Sequence, residues 1–108
     1  MQNLKTEEAT GMKNPTDGIL IELTVSNHPG VMSHICGLFS RRAYNLEKIL
    51  CFPKRNGTES KMWLLVHEES KLEQVLKQIE KLEDVQEIAY RRNSTGFFLQ
   101  LEAMVEKY

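Results

Sequence analysis

Asn27-His28-Pro29-Gly30, with Val31 and Met32 behind it, is where residue type and spacing most suggest chemistry. A strand runs into this turn and a helix leaves it. The first N–H groups of a helix have no intrahelical acceptor and carry the positive end of its dipole, so they can receive a carboxylate. Pro29 lacks an N–H, which leaves the backbone amides of Gly30, Val31 and Met32 as donors, and the glycine gives room for close approach. The Asn27 side chain either caps the helix or turns toward a ligand. The same residues also make an ordinary helix start, and the turn alone leaves both readings open.

Magnitudes limit what the turn can do by itself. A helix terminus contributes about 0.3 to 2 kcal/mol toward an anion, and burial of a branched aliphatic side chain adds about 1.5 to 3 kcal/mol. Together they barely reach millimolar affinity, which corresponds to about 4 kcal/mol. An amino-acid sensor built on this turn needs a second wall, and in so small a domain that wall comes from another subunit. Binding and dimerisation are then linked.

Other chemistry finds little support. His28, His34 and His67 fall on a loop, a helix and a strand, and no Ser-His-Asp or Cys-His-Asp set is suggested by local spacing. His28, His34, Cys36 and Cys51 make a poor metal site, because residues two apart on a helix point to different faces. Cys36 and Cys51 each sit in an apolar run outside any CxxC pair and read as reduced thiols of a cytoplasmic protein. The formal net charge of -1 provides no broad field for nucleic acid or anionic lipid, and no stretch has the roughly 20 apolar residues that span a bilayer.

The elements that must position the turn follow from periodicity. Ile19, Ile21, Leu23 and Val25 alternate with Leu20, Glu22 and Thr24, as a half-buried strand requires. Val31, Ile35, Leu38, Phe39 and Arg42 then recur at helical spacing, which predicts a helix over 29–43 with Pro29 in its first turn. A second strand is expected over 45–53, with Leu46, Leu50 and Phe52 sharing a face. After the turn Arg55-Asn56-Gly57-Thr58, a third strand over 61–67 is apolar on both faces and therefore central. Ser70 and Glu73 have capping-box spacing before a helix over 71–81. Val85, Ile88 and Tyr90 suggest a fourth strand running into Arg91-Arg92.

The order βαββαβ with right-handed crossovers gives an α+β, ferredoxin-like fold. Its four-stranded antiparallel sheet carries both helices on one face and leaves the other face uncovered. The expected organisation is a flexible polar tail over 1–17, one domain over 18–92 and a tail over 93–108. In that last tail Phe97, Leu101, Met104, Val105 and Tyr108 fall on one face of a short helix, which either caps the domain or docks on a partner.

Within this frame Glu22-Leu23-Thr24-Val25, Asn27-His28-Pro29-Gly30-Val31-Met32, Gly37-Leu38-Phe39, Arg41-Arg42-Ala43-Tyr44-Asn45-Leu46-Glu47 and Leu82-Glu83-Asp84-Val85 are the distinctive runs. They resemble the ACT domain of the regulatory, or small, subunit of acetohydroxyacid synthase, also called acetolactate synthase. The resemblance implies a non-catalytic subunit that activates the catalytic (large) subunit and confers feedback inhibition by valine or another branched-chain amino acid. It implies an effector site at the interface of an ACT homodimer, with Asn27, Gly30, Val31 and Met32 as one wall and Asn45 and Leu46 as the other. Thiamine diphosphate, FAD and magnesium would belong to the catalytic partner, none to this chain. By local sequence alone, Asn45 is also a helix-stop residue that tolerates a left-handed backbone.

The chain looks like the short type of small subunit, since it stops soon after the fourth strand. The resemblance does not extend over the tail 93–108. Two other functions share the pattern. One is a scaffold that activates an enzyme without sensing a ligand. The other is an RNA-binding module of the same topology, which needs exposed aromatics on the first and third strands, where this chain has only Trp63.

Overall fold

The computed structural model describes residues 18–92 and 95–107, so the expected N-terminal tail over 1–17 lies outside the described residues. Strands β1 (Ile19–Ser26), β2 (Lys48–Pro53), β3 (Glu59–Val66) and β4 (Val85–Arg92) form an antiparallel sheet in the order β2-β3-β1-β4. Helices α1 (Val31–Ser40) and α2 (Leu72–Glu80) are the two crossovers. A 3-10 turn (Thr95–Phe98) leads into α3 (Leu99–Glu106). The ferredoxin-like βαββαβ architecture is therefore present, with β1 and β3 central.

Alternation fixes the core. Ile19, Ile21, Leu23 and Val25 of β1 and Met62, Leu64 and Val66 of β3 turn toward the helices, which return Val31, Ile35, Leu38 and Phe39 from α1 and Leu72, Val75 and Ile79 from α2. Each such side chain contributes about 1.5 to 3 kcal/mol when fully buried, so this two-layer core dominates stability.

Several expectations change. α1 begins at Val31, not Pro29, because Gly30 takes a left-handed conformation with φ 91° and holds the proline outside the helix. β2 begins at Lys48, not Asn45. Leu46 lies before it and packs into the helix-side core, while Leu50 faces Trp63 on the opposite side of the sheet. No side-chain bond caps α2, whose N-cap is Lys71, so the Ser70–Glu73 spacing is not used as a capping box.

The sheet face away from α1 and α2 is also partly covered. Phe98 is buried there against Leu20 and Leu65, with Leu50 and Trp63 alongside. Phe97, Leu101, Met104 and Val105 of the expected stripe are exposed, so the contact with the sheet rests on Phe98, and Tyr108 lies outside the described residues. The 3-10 turn sets Phe98 apart from that stripe, since its three residues per turn shift the phase of the aromatic pair from that of a continuous α-helix. Phe97 stacks on Trp63 with ring centroids 5.5 Å apart, and Glu102 pairs with Lys48 at 2.8 Å.

Candidate functional site

The turn between β1 and α1 is exposed yet held from two sides. On one side, the Asn27 amide donates to the Thr58 carbonyl at 2.9 Å and its side-chain Nδ2 to the Gly57 carbonyl at 3.1 Å, both on the β2–β3 hairpin. On the other, the Ser26 amide donates to the Asp84 carbonyl at 2.8 Å, and His28 Nε2 lies 2.8 Å from Asp84 Oδ1. Asn27 therefore does not cap α1. Gly30 occupies the N-cap position without any side-chain bond to the helix.

The helix start is left with spare donors. The Val31 amide makes a long contact of 3.4 Å to the His28 carbonyl, and the amides of Gly30, Met32 and Ser33 have no acceptor among the described residues. No acidic residue stands in the first turn of α1 to occupy them. The Val31 side chain is buried in the core, so only its backbone faces outward, whereas the Met32 side chain is exposed. A small anionic group is the ligand that this end of α1 can receive.

His28 is the titratable side chain of the turn itself. Its Nδ1 lies 3.0 Å from the Pro29 carbonyl oxygen, and this contact, then the Asp84 carboxylate, raises its pKa above the ordinary value.

Asn45 and Leu46 lie at the other end of α1, a helix of ten residues and so about 15 Å long. The structure brings Asn27, Gly30, Val31 and Met32 together, and Asn45 with Leu46, but it does not bring the two groups together within one chain. Asn45 Nδ2 donates to Glu47 Oε2 at 3.0 Å, and the same carboxylate oxygen lies 3.3 Å from His67 Nε2. Asn45 is not the left-handed helix stop; Ala43 is, with φ 53°.

An open groove joins this second wall to the flank of α1. Ser33, Cys36, Gly37 and Ser40 line it opposite Asn45, Leu46 and Ile49. That these four α1 residues share a groove escaped the sequence reading, although their three- and four-residue spacing marks one helical face of small side chains. Burial pushes both thiols, Cys36 and Cys51, above their ordinary pKa and away from the reactive thiolate. The His28–Asp84 pair was also missed, since its members are 56 residues apart and no local pattern links them. Among the described residues no group of three or more His, Cys, Asp or Glu is placed to hold a metal ion, and no helix is long and apolar enough to cross a membrane.

Comparisons with known proteins bear on the same segment. The family model for the AHAS (acetohydroxyacid synthase) small subunit-like ACT domain matches residues 21–87. The acetolactate synthase isozyme 1 small subunit of Escherichia coli K12 is 50% identical over 88 residues, covering 81% of this chain and 92% of that protein. The isozyme 3 small subunit of the same organism is 37% identical over 89 residues, covering 82% of this chain but only 53% of the relative. Among solved structures, the acetolactate synthase small subunit from Thermotoga maritima superposes with a TM-score of 0.57 at 32% identity, covering 67% of this chain and 45% of that one. The chain thus spans nearly all of one relative and about half of the other two.

Proposed function

This chain belongs to the AHAS small subunit-like ACT domain family, and on that premise we propose that it is the regulatory small subunit of an acetolactate synthase. It binds the catalytic large subunit, raises its activity and lowers that activity again when a branched-chain amino acid, valine foremost, is bound. The chain performs no catalysis. Thiamine diphosphate, FAD and magnesium belong to the catalytic partner, and the assembly works in the cytoplasm.

The observation that carries this reading is that all six expected site residues fall inside the matched segment, 21–87, and sort into two walls at opposite ends of α1. One wall offers the spare amides of Gly30 and Met32, the long-bonded amide of Val31 and the Asn27 side chain to the carboxylate. The other, Asn45 and Leu46 of a second copy, offers a polar side chain to the ammonium group and an apolar one to the branched side chain. Two copies arranged about a twofold axis complete two such sites. Effector binding then favours one arrangement of the ACT dimer, and the catalytic subunit reads the shift as a coupling of about 1 to 3 kcal/mol.

Calorimetric titration of the chain with valine, isoleucine and leucine tests the reading. Saturable binding of at least one of them is expected, and silence with all three at millimolar concentration removes the effector assignment. Asn27→Ala is expected to weaken that binding by about 1.5 to 3 kcal/mol, through loss of a charge-assisted hydrogen bond. Wild-type affinity in the variant would take Asn27 out of the site. Assay of acetolactate formation by reconstituted catalytic subunit, with and without each amino acid, separates a sensing subunit from one that only activates.

A further inference from the structure

We propose that His28 and Asp84 form a proton-linked clasp that positions the effector turn, so that the turn holds an amino-acid carboxylate more weakly as His28 loses its proton. The inference deepens the reading above and rests on it. Its starting point is the imidazole geometry. Nδ1 lies 3.0 Å from the Pro29 carbonyl oxygen and Nε2 lies 2.8 Å from Asp84 Oδ1, so both ring nitrogens face oxygen acceptors. A neutral imidazole has one N–H and can serve only one of them, leaving a nitrogen lone pair against an oxygen lone pair. The imidazolium donates to both.

The Pro29 carbonyl belongs to the same rigid peptide unit as the Gly30 N–H, pointing the opposite way. A donor fixed on that oxygen fixes the plane of the amide, polarises it and aims the Gly30 N–H outward, toward the place where the carboxylate is received. Asp84 completes the clasp twice over, because its backbone carbonyl also accepts from the Ser26 amide at 2.8 Å. His28 and Asp84 are thus positioning residues acting through Gly30. Such a role suits a turn whose left-handed glycine would otherwise leave the peptide free to rotate.

The charges around His28 favour the same direction. Asp84, on the α2–β4 turn, is the acidic group that faces it, and the first turn of α1 carries none. The hairpin reaches the turn through the Gly57 and Thr58 carbonyls; of its charged side chains Lys54 and Glu59 pair with each other at 3.2 Å, and Arg55 is the third. From β1 and β4 come the neutral Ser26 and Gln86. With the imidazole pKa raised above 6.5, the clasp is complete below that value and is lost as pH rises through the folded-state pKa.

Valine, isoleucine and leucine are titrated into the wild-type chain at about pH 6, 7 and 8.5, a range in which the ligands' own charges are constant and histidine titrates. His28→Gln and Asp84→Asn are titrated alongside, and the His28 pKa is followed by NMR without ligand. Wild-type affinity is expected to fall roughly threefold to tenfold from the acid to the alkaline end. His28→Gln flattens the profile. Asp84→Asn lowers the His28 pKa and moves the fall in affinity to lower pH with it, a shift that loss of mere rigidity would not produce.

Binding by the wild-type chain that is independent of pH overturns the clasp and leaves the effector reading standing. A His28→Gln profile as steep as wild type does the same. Absence of binding at every pH takes down the effector reading itself, and the clasp as a control of it.

Discussion

The two ends of α1 are built by opposite means. At its C-terminus every one of the last four carbonyls has a partner: Gly37 receives the Arg41 amide, Leu38 the Arg42 guanidinium, Phe39 the amides of Arg42 and Tyr44, and Ser40 the Ala43 amide. Lys71 adds its ammonium group to the Arg42 and Ala43 carbonyls at 2.6 and 3.2 Å, and lies 5.6 Å from the Tyr44 ring centroid. At the N-terminus the amides of Gly30, Met32 and Ser33 have no acceptor among the described residues, and the turn before them is held by contacts to two distant turns. One end is finished by the chain, and the other presents exposed amides. Amides at exposed positions of a helix start bond to water, and an anionic group can take them up without breaking a bond within the chain.

The largest expected effect comes from cutting into the finished end. Tyr44 is buried against Phe39, with ring centroids 5.5 Å apart, and its hydroxyl donates to the His67 carbonyl. Tyr44→Ala is expected to lower the unfolding free energy by about 3 to 5 kcal/mol, the usual cost of removing a buried aromatic ring. Asn27→Ala at the other end removes one exposed hydrogen bond and should cost only about 0.5 to 1.5 kcal/mol. Urea denaturation of both variants measures the contrast. Equal losses would mean that the two ends do not divide stability from binding.

Lys71→Met comes next. It keeps the aliphatic stem against Tyr44 and removes the charge that caps two carbonyls at the helix C-terminus. A loss of about 1 to 2 kcal/mol in the same denaturation experiment is expected, since the ammonium group is partly buried and sits at the negative end of the dipole. Salt should reduce the difference between variant and wild type, because Lys71 is not wholly screened from solvent.

How much of this was legible in the sequence depended on whether the cause was local. Alternation in β1 and β3 marked both faces of the central strands, and Asn56-Gly57 marked a turn in which Asn56 Oδ1 accepts from the Thr58 and Glu59 amides. The spare donors of the α1 start followed from Pro29 and Gly30 alone. The reading failed where partners distant in sequence decide the outcome. Leu46 was given the face of Leu50 and Phe52 by counting in twos, but Tyr44 turns inward to reach His67 and carries Leu46 with it into the helix-side core, so β2 starts later. Ser70 promised a cap for α2, yet Lys71 takes the N-cap position and spends its side chain on α1. Of the candidate site, the residues proposed for each wall stand in short local runs; the pairing of His28 with Asp84 depends on the fold that brings the α2–β4 turn beside β1.

The smallest expected effect sharpens the comparison most directly, because it concerns one Cβ. After Ser40 the chain leaves α1 by a Schellman arrangement: the Tyr44 amide bonds the Phe39 carbonyl at 2.9 Å, the Ala43 amide bonds the Ser40 carbonyl at 3.0 Å, and Phe39 and Tyr44 pack together. The residue that this geometry puts in the left-handed region is usually glycine, and here it is Ala43, at φ 53°. Alanine is strained there by roughly 1 to 2 kcal/mol, while glycine gives back about 0.5 to 1 kcal/mol through the greater freedom of the unfolded chain. Ala43→Gly is therefore expected to stabilise the chain by about 0.5 to 1 kcal/mol in urea denaturation, the difference between those two terms. The glycine at the opposite end responds in the reverse sense: Gly30→Ala meets no neighbouring atom within 4 Å, yet it places a Cβ on a residue at φ 91° and should destabilise. Two substitutions of opposite direction, both at exposed positions, would then give opposite changes in stability. If both variants moved the same way, backbone conformation would not be what sets the finished end of α1 apart from the open one.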